Sequence, residues 1–570
     1  MADSRRRYPR SLYLLVGSLT SAVLLYSVAE QIVDHNFQVL WEVTAILAGD
    51  VPYRDFYVTG WPLETALSAV VQWLVGYRLI GEFLVHWLFL LAAILLGFHL
   101  ALRLSHSMAA SLAMIPVTLL CLGSAATVHF PKLFFYPLAV LVAWRYIEAP
   151  APRYAAIAGV VTATAFLFRH DHGVYVGVAF VAAFALARAA MSSPMTGRAM
   201  LRDASTYAAA AAAILAPWIV VVHAYEGFPD FVRTRMAWGA EWAPPPGSPF
   251  DVLDEINPLR VVQGIGAASW RPVGEQNLMW LVQVTLLLPM FVLVSVGLEM
   301  LAGRGRDRRM ATDRCATILL AGTSLFVMSR LGREESYYVA VLPLSTALGA
   351  RLLAGRSMAA TRLPEWAARA WRITRQTMVV ALMLITGFAA VGALNADLFS
   401  ANELEEVTYT YRQLLSSPPV DAYQPADEAL EMDWTGWHAS GADTRQKIMI
   451  RYMHDCTTES DRILVTGSTP YHVGYYVERP LAGGQMQWHH RWRSDPPYEQ
   501  QALALIRRQS VPFAFSTTDP VFDDFRAYPR IHAYLTENYV EIEGSRGRLL
   551  VDKRRQSTGR FGRLGWPCFR

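Results

Sequence analysis

The chain has 570 residues, of which 53% are hydrophobic and 17% charged, with a mean hydropathy of +0.24 and a net charge of +4. Soluble globular proteins carry about a quarter charged residues, so the composition excludes an ordinary soluble domain and points to a membrane protein. The net charge is too small to imply a nucleic-acid partner, and lysine occurs only at Lys132, Lys447 and Lys553.

Arg5, Arg6, Arg7 and Arg10 precede an apolar run from Ser11 to Val33. That run is too long for a signal peptide and no small-residue cleavage site follows it, so it reads as a retained membrane helix. A helix in lipid needs about 20 apolar residues, because its backbone must satisfy its own hydrogen bonds. Further spans are expected at 62–79, 82–104, 109–127, 132–147, 154–169, 173–191, 205–224, 277–300, 314–330, 336–354 and 376–395. The run from Tyr207 to Ile214 is nearly all alanine, which suits close helix packing.

Arginine-rich loops face the cytoplasm. These are the loops with Arg198 and Arg202, with Arg304, Arg306, Arg308 and Arg309, and with Arg356, Arg362, Arg369, Arg372 and Arg375. Residues 34–61, 169–172, 225–276, 330–335 and everything after about 396 then face outward. Twelve crossings from a cytoplasmic N-terminus would instead leave the C-terminal part inside. The suspect segments are 62–79 and 132–147, short and interrupted by Pro62 or Pro137: one is re-entrant, or a thirteenth span lies nearby. The expected fold is a polytopic α-helical membrane protein with 11–13 transmembrane helices over residues 1–395.

Residues 396–570 have a different texture. Strand-like runs at Arg462–Thr466, Pro512–Ser516, Tyr539–Ile542 and Leu549–Val551 alternate with helical stretches at Glu499–Arg508 and Phe525–Tyr534. The alternation predicts an extracytoplasmic α/β domain, followed from Arg554 by a disordered basic tail. Cys121 and Cys315 fall in apolar segments and read as small buried hydrophobes. Cys456 and Cys568 could pair outside the cytoplasm, although two cysteines alone are a weak pattern. No Cys/His spacing suggests zinc.

The first outward loop reads Asp34-His35-Asn36-Phe37, then Trp41 and Glu42, then Gly49-Asp50-Val51-Pro52-Tyr53-Arg54-Asp55-Phe56. Residues 36–48 have near-helical apolar spacing, which predicts an amphipathic helix lying flat at the interface. Asp34 stands at the outer end of the first helix, as an N-cap, a general base, or both. Asp55 could equally be a turn residue paired with Arg54. Lys132, the only lysine in the membrane half, is either a functional membrane-depth charge or a snorkelling side chain. Arg330 and Arg333 could be cation donors or surface ion pairs with Glu334 and Glu335. His170, Asp171 and His172 invite a metal reading, but side chains two apart on a helix diverge, so a polar lining or a plain loop is favoured. The loop 225–276, with Trp238, Trp242 and Pro244-Pro245-Pro246, reads as a second interfacial helix from Tyr225 to Trp238 followed by a stiff connection. Gly483-Gly484-Gln485 reads as only a turn.

An acid just after the first helix, an interfacial helix, the run G-x-x-P-Y-R-D-F and Pro62-Leu63 together resemble the GT-C class of integral membrane glycosyltransferases. The resemblance is to bacterial members of the protein O-mannosyltransferase and lipid A aminoarabinose transferase group. It continues at Arg169-His170-Asp171-His172-Gly173, at Arg330 to Tyr338 with Leu342-Pro343, at Asp461 to Leu464, at Tyr471 to Pro480 and at Phe525 to Tyr539. Each motif is loose and the combination is more specific.

The resemblance implies transfer of a sugar from a polyprenyl-phosphate donor to a glycan, lipid or protein acceptor at the outer face of a bacterial inner membrane. It implies Asp34 as the catalytic acid, although His35 stands where many members carry a second acid. Lys132, Arg169, Arg330 and Arg333 are the candidates for the donor phosphate, and His35, Asp55, His170, Asp171, His172, Glu335 and Tyr337 for positioning donor or acceptor. No cofactor is firmly implied beyond the lipid-linked sugar, and metal dependence stays open. Two other classes stay open: a flippase of lipid-linked sugars, for which internal repeats are missing, and a non-catalytic glycan-binding membrane protein.

Overall fold

A computed structural model describes residues 9–27, 37–58, 60–124, 131–190, 196–234, 273–301, 308–330, 339–354, 365–395, 401–415, 444–467, 470–486, 488, 494–517, 519–562 and 564–570. Helices dominate. In chain order they are α1 (Arg10–Ser27), α2 (Phe37–Leu47), α3 (Pro62–Val75), α4 (Leu79–Ser105), α5 (Met108–Ser124), α6 (Pro131–Glu148), α7 (Pro152–Phe168) and α8 (His170–Ala190). Then come α9 (Gly197–Tyr225), α10 (Val273–Leu301), α11 (Arg308–Arg330), α12 (Leu342–Leu353), α13 (Glu365–Asn395), α14 (Ala401–Leu415), α15 (Thr444–Asp455), α16 (Pro470–Val477), α17 (Pro496–Arg508) and α18 (Pro529–Asn538). Every expected span holds a helix. Among the described residues three, at Leu79–Ser105, His170–Ala189 and Gly197–Tyr225, are long and apolar enough to cross a membrane.

The chain divides into two compact units. The first comprises Met1–Ile32, Leu84–Val220 and Pro229–Val407. Its helices pack around α8, which lies against α6, α7 and α11. α12 is enclosed, with Leu342 to Leu352 all buried. α6 runs unbroken through Pro137, as membrane helices tolerate. Its 18 residues span about 27 Å at 1.5 Å per residue.

The second unit comprises Val33–Phe83, Val221–Phe228 and Thr408–Arg570, so the loop between α1 and α4 belongs with the C-terminal part of the chain. α2 forms as expected but does not lie open at an interface: Val39 to Ala45 are all buried, and α3 and α16 pack against it. α3 has 14 residues, about 21 Å, and ends on Gly76 in the left-handed region (φ 75°).

Four strands, β1 (Ile463–Thr466), β2 (Phe513–Ser516), β3 (Tyr539–Glu541) and β4 (Leu549–Asp552), form a sheet in the order β1-β2-β4-β3. β1 and β2 are parallel, joined through α16 and α17, while β4 runs antiparallel to both β2 and β3. Trp488, Ile506, Phe525, Tyr528, Ile531 and Leu535 fill the core beside it.

The stretch from Arg554 is not the disordered tail expected. Residues Gly559–Phe561 and Trp566–Cys568 pair as an antiparallel hairpin, β5 and β6. Tyr452 of α15 packs against Phe561, Trp566 and Phe513 and donates its hydroxyl to the Pro567 carbonyl at 2.6 Å. A disulfide joins Cys456 to Cys568. The basic composition hid three aromatic anchors, the buried Phe561 and Phe569 and the half-buried Trp566, whose packing offsets the ordering entropy.

Candidate functional site

In the first unit the helix α7 stops at Phe168, Arg169 is extended (φ −163°, ψ 121°), and α8 starts at once with His170. Gly173 permits this corner: a Cβ there would run into the backbone of Phe166. The corner aims its polar side chains in two directions. His170 stacks on Phe166 (centroids 4.4 Å apart), lies against Trp218 and Phe231, and its Nδ1 is 2.9 Å from the Phe166 carbonyl. His172 turns to the opposite side, where its Nδ1 makes a short hydrogen bond to the Tyr136 hydroxyl, and its ring meets Tyr175. The two imidazoles therefore do not converge on a common point.

Asp171 joins the corner to its cation. Arg169 donates through Nε to both carboxylate oxygens, at 2.9 and 3.2 Å, and the same carboxylate accepts the His172 amide at 2.9 Å. Tyr175, one turn beyond His172, packs edge-on against Phe326 of α11, and the Arg330 guanidinium lies 5.6 Å above that same Phe326 ring. Lys132 sits four residues before Tyr136 in the first turn of α6. That spacing puts both side chains on one helix face, and both are buried. Lys132, Arg169 and Arg330 thus come from α6, the α7–α8 corner and α11; a chain of contacts through Asp171, His172, Tyr175 and Phe326 runs from Arg169 to Arg330, and Tyr136 of the Lys132 face joins it at His172. Burial of a lysine and of a tyrosine–histidine pair costs free energy unless their polar atoms are engaged.

In the second unit Asp55 is the turn residue. Its carboxylate accepts Arg54 (2.6 Å) and the Val51 amide (2.8 Å). The Arg54 hydrogen bond holds its pKa below the usual aspartate value, against the opposing effect of burial. The turn docks on the C-terminal part of the same unit. Tyr57 donates its amide to the Gly484 carbonyl at 2.9 Å, and a Cβ on Gly484, which has φ 67°, would come within 2.6 Å of the Asp55 carbonyl. Asp50 receives both arms of Arg462 at 2.6 and 2.5 Å, and Tyr77 stacks on Tyr475 with centroids 4.8 Å apart. Gly484 is therefore a contact point and not only a turn.

Asp34, His35, Arg333, Glu335 and Tyr337 lie outside the described residues. The sequence reading passed over Tyr136 and Tyr175. The available signal was their spacing, four residues after Lys132 and three after His172, which puts each on the same helix face as a candidate. It also passed over Glu64, Ser68 and Gln72 of α3, which repeat every four residues on a buried face with Glu42 and Glu82: Thr65 donates to Glu42 at 2.7 Å, and Ser68 and Gln72 both donate to Glu82.

No family model matches the sequence, and no curated protein matches it. Among solved structures, the chain is similar to ArnT from Cupriavidus metallidurans bound to undecaprenyl phosphate, with 14% identity, a TM-score of 0.50 and coverage of 98% of this chain and 100% of that one. The chain shares the fold of that transferase. ArnT is a lipid A aminoarabinose transferase of the GT-C class, so the expected resemblance holds at the level of fold along nearly the whole chain. The same protein in the apo state aligns at 13% identity with a TM-score of 0.47, over 95% of this chain and 98% of that one.

Proposed function

We propose that this chain is a GT-C-type glycosyltransferase that takes a sugar from a polyprenyl-phosphate carrier and gives it to an acceptor at the outer face of a bacterial inner membrane. The observation that carries the reading is the run of contacts from Arg169 to Arg330, with Tyr136, on the same helix face as Lys132, bonded to its His172, in a chain with the fold of a transferase solved with undecaprenyl phosphate bound.

Orientation supports it. α3 belongs to the second unit and not to the helix bundle of the first, which leaves eleven crossings, α1 and α4 to α13, with α12 short but enclosed in that bundle. Eleven crossings from a cytoplasmic N-terminus put the C-terminal part outside. They also keep every arginine-rich loop inside, and place Asp34, Lys132, Arg169, Arg330 and Arg333 at outward ends. The Cys456–Cys568 disulfide supports the same side, since disulfides persist in oxidising compartments. On this reading residues 1–395 form the membrane domain and 396–570 an outer α/β domain.

In the proposed reaction the Asp34 carboxylate takes the proton of an acceptor hydroxyl as its oxygen bonds to the anomeric carbon. The bond from that carbon to the phosphate oxygen breaks, and the polyprenyl phosphate leaves with the electron pair. Lys132, Arg169, Arg330 and Arg333 offset its charge. His35, His172, Asp171, Glu335 and Tyr337 line the acceptor or donor; His170, packed among aromatic rings, and Asp55, held in its turn, position backbone. The test is glycan analysis of envelope fractions from a deletion strain complemented with wild-type chain or with Asp34→Asn. The wild type restores a missing sugar and the variant does not. Full restoration by the variant, at equal membrane abundance, removes Asp34 from the chemistry.

A further inference from the structure

α13 carries its charge at one end. Its charged residues all lie between Glu365 and Arg375, and none follows as far as Asn395. One face of the helix holds the buried Leu382, and stepping back along it by seven and then four residues reaches Arg375 and Trp371. Trp371 is 8% exposed and Arg375 is half-buried. Nε and Nη1 of Arg375 and Nε1 of Trp371 are closed off from solvent, yet none has a hydrogen-bond acceptor among the described residues. An enclosed N–H without an acceptor costs free energy, most of all when the group is charged. The main neighbours of α13 do not supply one. It packs on α10, α5 and α12. α5 and α12 contain no carboxylate. On α10, Glu299 already binds Arg351 at 3.2 and 3.3 Å and lies 3.9 Å from Arg314, and the other acid, Glu275, is at the opposite end of that helix.

We infer that Trp371, Arg372 and Arg375 form a binding site for the phosphate of an anionic membrane phospholipid. Residues three and four apart are neighbours on a helix, so Arg372 and Trp371 both flank Arg375. Arg372 is exposed and meets the same anion from the open side. Two guanidinium groups and an indole N–H offer donors and no acceptor, so the ligand is an anion and not a cation or an amine. Among the described residues no carboxylate is paired with either arginine. Guanidinium groups match phosphate in geometry. Position selects a lipid as its source. The uncharged run 376–395 follows Arg375 directly, so the guanidinium stands where a crossing helix meets the headgroups, and basic pockets between helices at that level hold lipid phosphates. This site rests on the reading of α13 as a crossing and not on sugar transfer, and its test uses no activity.

The experiment is native mass spectrometry of the full-length chain, delipidated in detergent and titrated with dioleoyl-phosphatidylglycerol. The wild-type chain should bind one such lipid more tightly than any further one. Arg375→Gln should weaken that first binding by about tenfold or more, the loss of one charge-assisted contact. Arg372→Gln should weaken it by about threefold, as befits an exposed charge. Arg526→Ala, on an exposed pair of the second unit, should leave it unchanged. Glycerophosphoglycerol, the same headgroup without acyl chains, separates the two sources of phosphate. Failure of this compound to displace the lipid at equal concentration supports a lipid site. Displacement at equal concentration overturns it in favour of a soluble phosphate ester. First binding of equal strength in wild type, Arg375→Gln and Arg372→Gln overturns the site itself. Arg372→Gln changes an exposed side chain, so it decides the matter if the half-buried substitution fails to fold.

Discussion

Arg462 grips Asp50 with both arms of its guanidinium, at 2.6 and 2.5 Å, across 412 residues of sequence. The pair fixes the Gly49–Phe56 run, between α2 and α3, to the residue that precedes β1. Both side chains are mostly buried, so removing one partner leaves the other charge desolvated.

Arg462→Ala should therefore destabilise the second unit by about 2–4 kcal/mol, more than an exposed ion pair at about 0–1 kcal/mol. Thermal unfolding and limited proteolysis of the detergent-solubilised chain provide the measure. Arg526→Ala, which breaks the exposed Arg526–Asp523 pair, should change little. Equal effects from the two would mean that the Asp50 contact is not a restraint.

Gly484→Ala tests the same docking from the backbone side. The left-handed φ and the Asp55 carbonyl 2.6 Å from the new Cβ predict a loss of about 1–3 kcal/mol. Gly562→Ala has a positive φ too but meets nothing within 4 Å. It should cost less, and the difference between the two isolates the clash.

Two aspartates give the second unit an acid limit. At Asp55 the Arg54 hydrogen bond comes first and lowers the pKa, against burial. At Asp461 burial raises it, but hydrogen bonds from Ser510 and Thr458 and the charge of Arg555 outweigh that, so the net direction is down. A carboxyl with a depressed folded pKa contributes stability above its unfolded value, and that contribution is lost as pH falls through the folded value. Unfolding midpoints should thus fall on acidification below about pH 4, and Asp461→Asn should flatten the slope in that window. An unchanged slope in the variant would assign the acid limit to other groups.

The disulfide closes 112 residues of sequence. Cys568→Ser, or reduction of the native chain, should cost about 2–5 kcal/mol and release the β5–β6 hairpin to protease, with the helices of the first unit unaffected. An unchanged midpoint under reductant would show that the Tyr452 aromatic cluster holds the hairpin by itself.

For the cation cluster, Lys132→Ala and Arg330→Ala should each raise the KM for the polyprenyl-phosphate sugar by about tenfold or more, matching loss of one charge-assisted contact of roughly 1.5–3 kcal/mol. Tyr136→Phe keeps the packing and removes the hydroxyl that holds His172; it should lower kcat more than it raises KM. If Tyr136→Phe instead behaves as wild type in both parameters, the tyrosine–histidine contact is packing alone.

Local chemistry was enough for much of the fold. The strands at 463–466, 513–516 and 549–552 lie within a residue of their predicted ends, because β-branched and aromatic runs between turn residues leave few alternatives. Each apolar run likewise holds a helix among the described residues, and the turn role of Asp55 beside Arg54 was one of the two readings its neighbours allowed. What failed was the direction in which faces point. α3 counts as apolar by composition, so it read as a span or, with its Pro62, a suspect re-entrant segment; only the burial of Glu64, Ser68 and Gln72 shows that its polar side is the inner one. α2 read as amphipathic, with one polar face, yet Val39 to Ala45 are buried all round the helix. Arg554 onward read as a loose tail because charge outnumbers its three aromatics, and those aromatics matter only once Tyr452 is beside them.

The residues alone determined that this is a membrane chain of many helices with a strand-bearing C-terminal part, since hydrogen-bond satisfaction in lipid and local side-chain preference act over short stretches. Tertiary structure alone decided that Asp50 meets Arg462, that Tyr136 meets His172, and that α3 turns its carboxylate inward. Those outcomes depend on contacts between segments far apart in the chain, whose energies no local pattern encodes.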